Sequence, residues 1–248
     1  MIGTNNFSYF GPQPISQQMW VYDTEMGMEK REVTFVPGLY KIVDEILMFV
    51  ADKKVNDIKI DINQEENIIS VMSTGKGMEV VWHNAEEKYL PSIIFGHLST
   101  VSTSDDAEAM RTAGQSWFGA KLCNIFSKEF VVETTSNGKT FTQTWRLNMS
   151  ETSGAVVNDI VLGEEFTRVT FQPDLGRLGV NKLDSDFVAF VNRRAYDLAA
   201  TLGGVNVFLN EEKVPVNSFK DYVHLHVNSE FDDASDALKV VHDHCGER

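Results

Sequence analysis

From Pro37 to Val50 the apolar residues Leu39, Ile42, Val43, Ile46, Leu47 and Val50 recur at i, i+3, i+4 spacing. That spacing draws one stripe along a helix, and such a stripe has to be buried against an equally apolar surface. Proline in the first turn fits the helix start, because the N–H it lacks has no helical partner there. The surface it needs is written in the flanking segments. Ile58, Ile60 and Ile62 alternate, and Ile68, Ile69 and Val71 follow after the polar Gln64–Asn67, which reads as two strands and a turn. Val131–Thr134, then Asn137-Gly138, then Phe141–Trp145 is a β-hairpin signature. Val157–Leu162, Phe166–Phe171, Val205–Leu209 and Val214–Val216 read as further strands, with a polar turn at Asn210. Met19–Val36 reads as one or two early strands, Pro91–Leu98 and Gly119–Phe126 as short helices, and Leu183–Leu202 as a second long helix. This order predicts an α+β chain with helices layered on one face of a mixed sheet.

The chain has 248 residues, 42% of them hydrophobic, enough to bury a core and too many for a disordered chain. Residues 1–18 lack a period and read as an irregular arm, 19–227 as the folded domain and 228–248 as an acidic tail. Residues 99–118 are Ser/Thr/Asp-rich, then glycine-bearing, and a loop of that length reads as a lid or binding segment. Lys and Arg number 22 against 36 Asp and Glu, so 22 − 36 gives a net charge of −14. Such a surface repels phosphate and argues against direct DNA binding by this chain alone. No apolar run reaches the roughly 18 residues of a membrane span, and the start lacks the pattern of a signal peptide. Two cysteines, Cys123 and Cys245, make no disulfide framework. An intracellular, reduced protein is expected.

Several segments then resemble one family in the same order. They are the stretch Val33 to Leu47 (VTFVPGLYKIVDEIL), Ile94 to Leu98 (IFGHL), Gly119 to Phe126 (GAKLCNIF), Val169 to Leu175 (VTFQPDL), Arg193 to Asp197 (RRAYD) and Val205 to Asn210 (VNVFLN). They resemble the ATPase region of eukaryotic, animal-type DNA topoisomerase II. The resemblance implies the Bergerat, or GHKL, fold: a two-layer α/β sandwich that binds ATP between helices and a lid. It also implies ATP and Mg²⁺ as the family's cofactors, a nuclear location, and a truncated, degenerate copy. In the family a strap precedes the segment beginning Met1-Ile2-Gly3-Thr4, and a transducer domain follows the last matched segment. On the resemblance, strand passage by this chain alone is not expected, and a monomer is.

The family helix reads Glu-x-x-x-Asn-x-x-Asp-Asn, with a glutamate as general base and an asparagine oxygen on Mg²⁺. Here Glu45 and Asp52 are kept, while Phe49 stands at the metal-ligand position and Lys53 replaces the last asparagine. Phenylalanine has no oxygen, and Mg²⁺ requires oxygen ligands, so no metal is expected and Glu45 becomes a vestigial base. Taken alone, Glu45 reads equally well as a solvated helix carboxylate.

The family's Asn-Asp/Asn-Gly-x-Gly loop reads Ser73-Thr74-Gly75-Lys76-Gly77, which keeps Gly75 and Gly77 and puts hydroxyls where the adenine-facing group would be. The lid pattern Thr-Gly-Gly-Arg-Asn-Gly-Tyr-Gly-Ala-Lys reads Thr112-Ala113-Gly114-Gln115-Ser116-Trp117-Phe118-Gly119-Ala120-Lys121. Gly114, Gly119 and Lys121 remain, two glycines have become Ala113 and Trp117, and the arginine is Gln115. A phosphate nest uses consecutive N–H groups in conformations that glycine adopts freely. The family's Ser-Ser-Asn-Tyr loop reads Val101-Ser102-Thr103-Ser104, leaving Ser102 and Thr103 as candidate ligands. Weak or absent ATP binding is expected. Gly114–Lys121 is no P-loop, because Ala120 separates Gly119 from Lys121 and Leu122 replaces the Ser/Thr.

His224-x-His226 and His242-x-His244-Cys245 have metal-like spacing, but a zinc site needs about four ligands and exposed histidines are ordinary in an acidic segment. Trp20, Trp82 and Trp145 read as packing residues, whereas Trp117 is placed to block the phosphates.

Overall fold

The computed structural model describes residues 13–51, 55–97, 117–161 and 163–230. Strands β1 (Ile15–Asp23) and β2 (Gly27–Phe35) form a hairpin of their own, followed at once by helix α1 (Pro37–Ala51). Strands β3 (Val55–Asn63) and β4 (Ile68–Gly75) come next, then a small ribbon of β5 (Trp82–His83) and β6 (Lys88–Tyr89). Two short helices follow, α2 (Leu90–Gly96) and α3 (Trp117–Ile125). Strands β7 (Ser127–Ser136), β8 (Lys139–Arg146), β9 (Glu151–Thr152), β10 (Val156–Asp159) and β11 (Phe166–Pro173) lead to the long helix α4 (Ser185–Thr201). The last elements are β12 (Asn206–Leu209), β13 (Glu212–Lys213) and helix α5 (Phe219–Glu230).

Nine strands make the main sheet in the order β10-β8-β7-β11-β4-β3-β12-β13, with β9 on β8. Among the described strands only β12 and β3 run parallel, so the sheet is mixed as the sequence pattern predicts. Register sorts the side chains into rows. Ile60, Val71, Val169 and Val132 stand side by side across β3, β4, β11 and β7, and Ile62, Ile69, Phe171 and Phe130 form the next row. Because paired residues share a face, both rows point the same way, into the core that also takes Ile42, Ile46, Leu47 and Val50 of α1. Transfer of such aliphatic side chains from water is worth about 1.5–3 kcal/mol each, so this interface holds α1 firmly over the sheet centre.

The β1–β2 hairpin covers α4 instead. Val21, Val33 and Phe35 pack on Ala189 and Phe190, and Tyr40 of α1 stacks on Phe190 with ring centroids 3.9 Å apart. Polar ties reinforce this corner. Arg194 donates to Asp44 at 2.8 Å, and the Tyr222 hydroxyl donates to Asp197 at 2.5 Å, linking α1, α4 and α5.

Four details depart from the sequence pattern. Strand β1 begins at Ile15, inside the segment read as an arm, because pairing with β2 organises residues that have no alternation of their own. Helix α5 covers His224 and His226 and runs to Glu230, past the expected boundary at 227. His226 lies between Trp20 and Tyr222, at 4.7 and 4.6 Å between rings, so it is a packing residue. The last strand pair is closed by Glu212–Lys213, while Val214 and Val216 are core residues just beyond it. Trp145 is buried at 3% exposure, as expected of a packing residue, but Trp82 is 52% exposed.

Candidate functional site

Helix α1 presents Lys41, Asp44, Glu45 and Met48 along its outer side and Phe49 inward. Lys41 and Glu45 form an i, i+4 ion pair. Phe49 is 2% exposed and meets Phe95 of α2 edge to face at 5.1 Å. Phe95 leans on Phe130 at 5.7 Å, and Phe130 on Trp145 at 6.1 Å. The ring of Phe49 is thus the first member of an aromatic chain running down the core. A side chain at this position offers hydrocarbon and no ligand atom.

Helix α3 lies against α1 and α2. Asn124 donates to the carbonyl of Phe95 at 2.9 Å and Ser127 to that of Cys123 at 2.6 Å, which fix the far end of the helix. At its near end Gly119 rests on Glu45. Lys121, two residues on, is 9% exposed and makes no ion pair among the described residues. Burial pulls its ammonium below the ordinary lysine value, with the charge of Glu86 acting the other way. Glu86 itself pairs with His97 at 3.2 Å.

At the end of the sheet the apolar rows give way to hydroxyls. Ser73, Thr167 and Thr134 form one row across β4, β11 and β7 on the α1-facing side, all at most 2% exposed. Thr167 accepts from the N–H of Met78 at 2.8 Å, and Thr134 donates to the carbonyl of Phe166 at 2.8 Å. Ser73 Oγ is buried without a hydrogen-bond partner among the described residues. These bonds draw the loop after β4 across the strand ends. Gly75 takes φ +115°, open to glycine. A β-carbon at Gly77 would overlap the carbonyl oxygen of Thr135. That carbonyl and the neighbouring one of Phe166 are both backbone, so Gly77→Ala is expected to cost about 1–3 kcal/mol as overpacking, measured by urea unfolding.

The structure brings Glu45 and Gly119 together at the α1–α3 contact, puts Lys121 within the field of Glu86 instead, and leaves Gly75 and Gly77 at the sheet end. Thr74 faces away from α1: its hydroxyl donates to Asp57 Oδ2 at 3.2 Å, and Asn206 holds the other oxygen of Asp57 at 2.8 Å. The hydroxyl on the α1 side is that of Ser73. Asp52, Ser102, Thr103 and Gly114 lie outside the described residues. Sequence reasoning missed Thr134 and Thr167. Their signal was a threonine at the inward position of strands otherwise filled there by Val and Phe.

Mg²⁺ requires hard oxygen ligands. Phe49 supplies none, and among the described residues no cluster of three or more His, Cys, Asp or Glu could hold a metal.

This mixed sheet with its helices matches the GHKL, or Bergerat, ATPase fold of topoisomerase II and gyrase B. The 43K ATPase domain of Thermus thermophilus gyrase B, solved with an aminocoumarin, matches with a TM-score of 0.55 over 72% of this chain and 45% of its own. At 22% identity that is a likeness of fold alone.

The resemblance to one branch runs through the sequence as well. Human DNA topoisomerase 2-beta is 50% identical over 249 residues, which is 97% of this chain and 15% of the relative. The ATPase region of Saccharomyces cerevisiae topoisomerase II matches with a TM-score of 0.81 and 42% identity, over 89% of this chain and 61% of that one. No protein-family model matches the chain. The chain is homologous to the N-terminal ATPase region of animal DNA topoisomerase 2. It spans about 15% of the length of the human relative it matches.

Proposed function

We propose that this chain is a degenerate GHKL module, related to an ATP-driven DNA topoisomerase, that does not hydrolyse ATP and does not act on DNA by itself. The observation carrying this reading is Phe49, a buried aromatic ring on the helix that bears Glu45, at the position where the related helix has a metal-ligating amide. Removing one member of a catalytic unit wastes the others, so the retained Glu45 has no metal-bound substrate to act on. The ion pair with Lys41 supports the same reading, since it engages the carboxylate that would take a proton. We further propose a nuclear, monomeric protein. The relatives are eukaryotic topoisomerases, and a charge of −14 per copy opposes self-association. No described helix is long and apolar enough to cross a membrane.

A second reading, residual nucleotide binding, is favoured by Lys121. A buried ammonium without an ion pair among the described residues is what a phosphate would satisfy. Two measurements separate the readings. Phosphate release from ATP is expected to equal the buffer blank, and turnover above it overturns the proposal. Thermal shift with millimolar ATP, with Mg²⁺ or with EDTA, reads binding, because a ligand selective for the native state raises stability by RT ln(1 + [L]/Kd). An equal rise in both conditions supports metal-independent binding through Lys121. A rise that needs Mg²⁺ contradicts the argument from Phe49.

A further inference from the structure

Glu45 is a carboxylate with only 19% of its side chain exposed. A charge that far from water needs partners. Two groups hold it. Lys41 lies one turn earlier on the same face of α1. The other is the amino-terminal turn of α3, whose third residue is Gly119. A β-carbon built on Gly119 would overlap the Oε2, Cδ and Cγ atoms of Glu45, so the end of the carboxylate lies directly on that turn.

Gly119 does not have a positive φ. Its backbone is one that alanine adopts, and inside a helix alanine is the better former. Conformation therefore gives no reason for glycine at this position. Space does, because Glu45 occupies the volume a methyl group would take. The electrostatics agree with the fit. The first turn of a helix carries N–H groups without helical partners and the positive end of the dipole, and both favour an adjacent carboxylate.

We infer that Glu45 is a positioning residue: it pins the first turn of α3 to α1, with Gly119 as its socket and Lys41 balancing its charge. This role uses neither water nor metal, so it holds whether or not ATP is hydrolysed, and its test runs without nucleotide. A carboxylate that outlives its ligand partner on the same helix then has a structural reason to stay.

The test is a double-mutant cycle read by thermal unfolding of the full chain. Gly119→Ala is expected to lower Tm by about 5 °C, against the direction of helix propensity. Glu45→Ala is expected to lower Tm on its own. The double variant should unfold above Gly119→Ala, because the new methyl enters the space Glu45 has left. Glu45→Gln keeps the shape and removes the charge; it should lower Tm and speed amide hydrogen exchange at residues 119–122 while α4 is unaffected. If Gly119→Ala does not fold, folding of the double variant is itself the expected rescue. A neutral or stabilising Gly119→Ala, losses that simply add, or unchanged exchange in Glu45→Gln would each overturn the inference.

Discussion

Phe49→Ala should lower the unfolding free energy by about 3–5 kcal/mol, the range for truncating a fully buried aromatic side chain. The ring is 2% exposed, and its loss removes the partner of Phe95, which in turn supports Phe130. Phe49→Asn is the sharper experiment, since it restores the residue type of the related ATPases. Asparagine is smaller than phenylalanine and brings an amide with two donors and an acceptor into an aromatic cluster. Leaving such groups unsatisfied adds about 1–3 kcal/mol to the cavity cost. The reversion should therefore destabilise the protein and leave phosphate release at the blank. Urea unfolding and phosphate assays on the same preparations check both halves. An asparagine variant as stable as the parent, releasing phosphate, would show that the site opens to water around residue 49 and that Phe49 alone silences it, so the altered loops would no longer be needed to explain the inactivity.

The helix that carries this argument was legible because its signal is local. The stripe from Leu39 to Val50 lies within one element, and every residue of it is buried as its spacing requires. The Asn137-Gly138 turn was legible for the same reason: both residues take positive φ, at 50° and 73°, as the hairpin demands. The start of strand β1 was not, because Ser16, Gln17 and Gln18 become a strand only through pairing with Thr34, Val33 and Glu32. Helix α5 was missed because its apolar face is thin. Tyr222 and His226 make sense only once Asp197 and Trp20 are in place beside them.

The site divides along the same line. Glu45 and Phe49 follow from positions on one helix. Whether Ser73 or Thr74 faces α1 follows from strand register, where a slip of one residue exchanges the faces. Ser73 pairs with Ile58 on one side and Thr167 on the other, and that register decides it. The hydroxyl row joins residues 73, 134 and 167, far apart in sequence and adjacent only in the sheet. No local pattern could have assembled it.

Between pH 10 and 12 the protein should lose about 2–3 kcal/mol of stability through Tyr40 alone. Burial beneath the β1–β2 hairpin, followed by the charge of Asp44, pushes the Tyr40 hydroxyl from 10.0 up to about 12. The sign follows from proton counting. Above pH 10 the unfolded chain releases this proton while the native state keeps it, so the unfolded state binds fewer protons. Stability then falls by about 1.4 kcal/mol per pH unit until the native hydroxyl ionises as well. Tyr196, stacked on Tyr22 at 3.9 Å, is raised too, first by burial and then by its hydrogen bond to Tyr22, and adds in the same direction. Lys121 has the opposite sign: burial lowers it, so below pH 10.5 the unfolded state binds more protons and stability rises with pH. The Tyr40→Phe variant separates these contributions, because the ring keeps its stack on Phe190 and loses only the titrating group. Urea midpoints at pH 9, 10, 11 and 12 should show the variant losing less than the parent, with the gap opening above pH 10. Parallel curves would mean that Tyr40 titrates as it does in the unfolded chain, and that the corner joining α1, α4 and the hairpin opens to solvent.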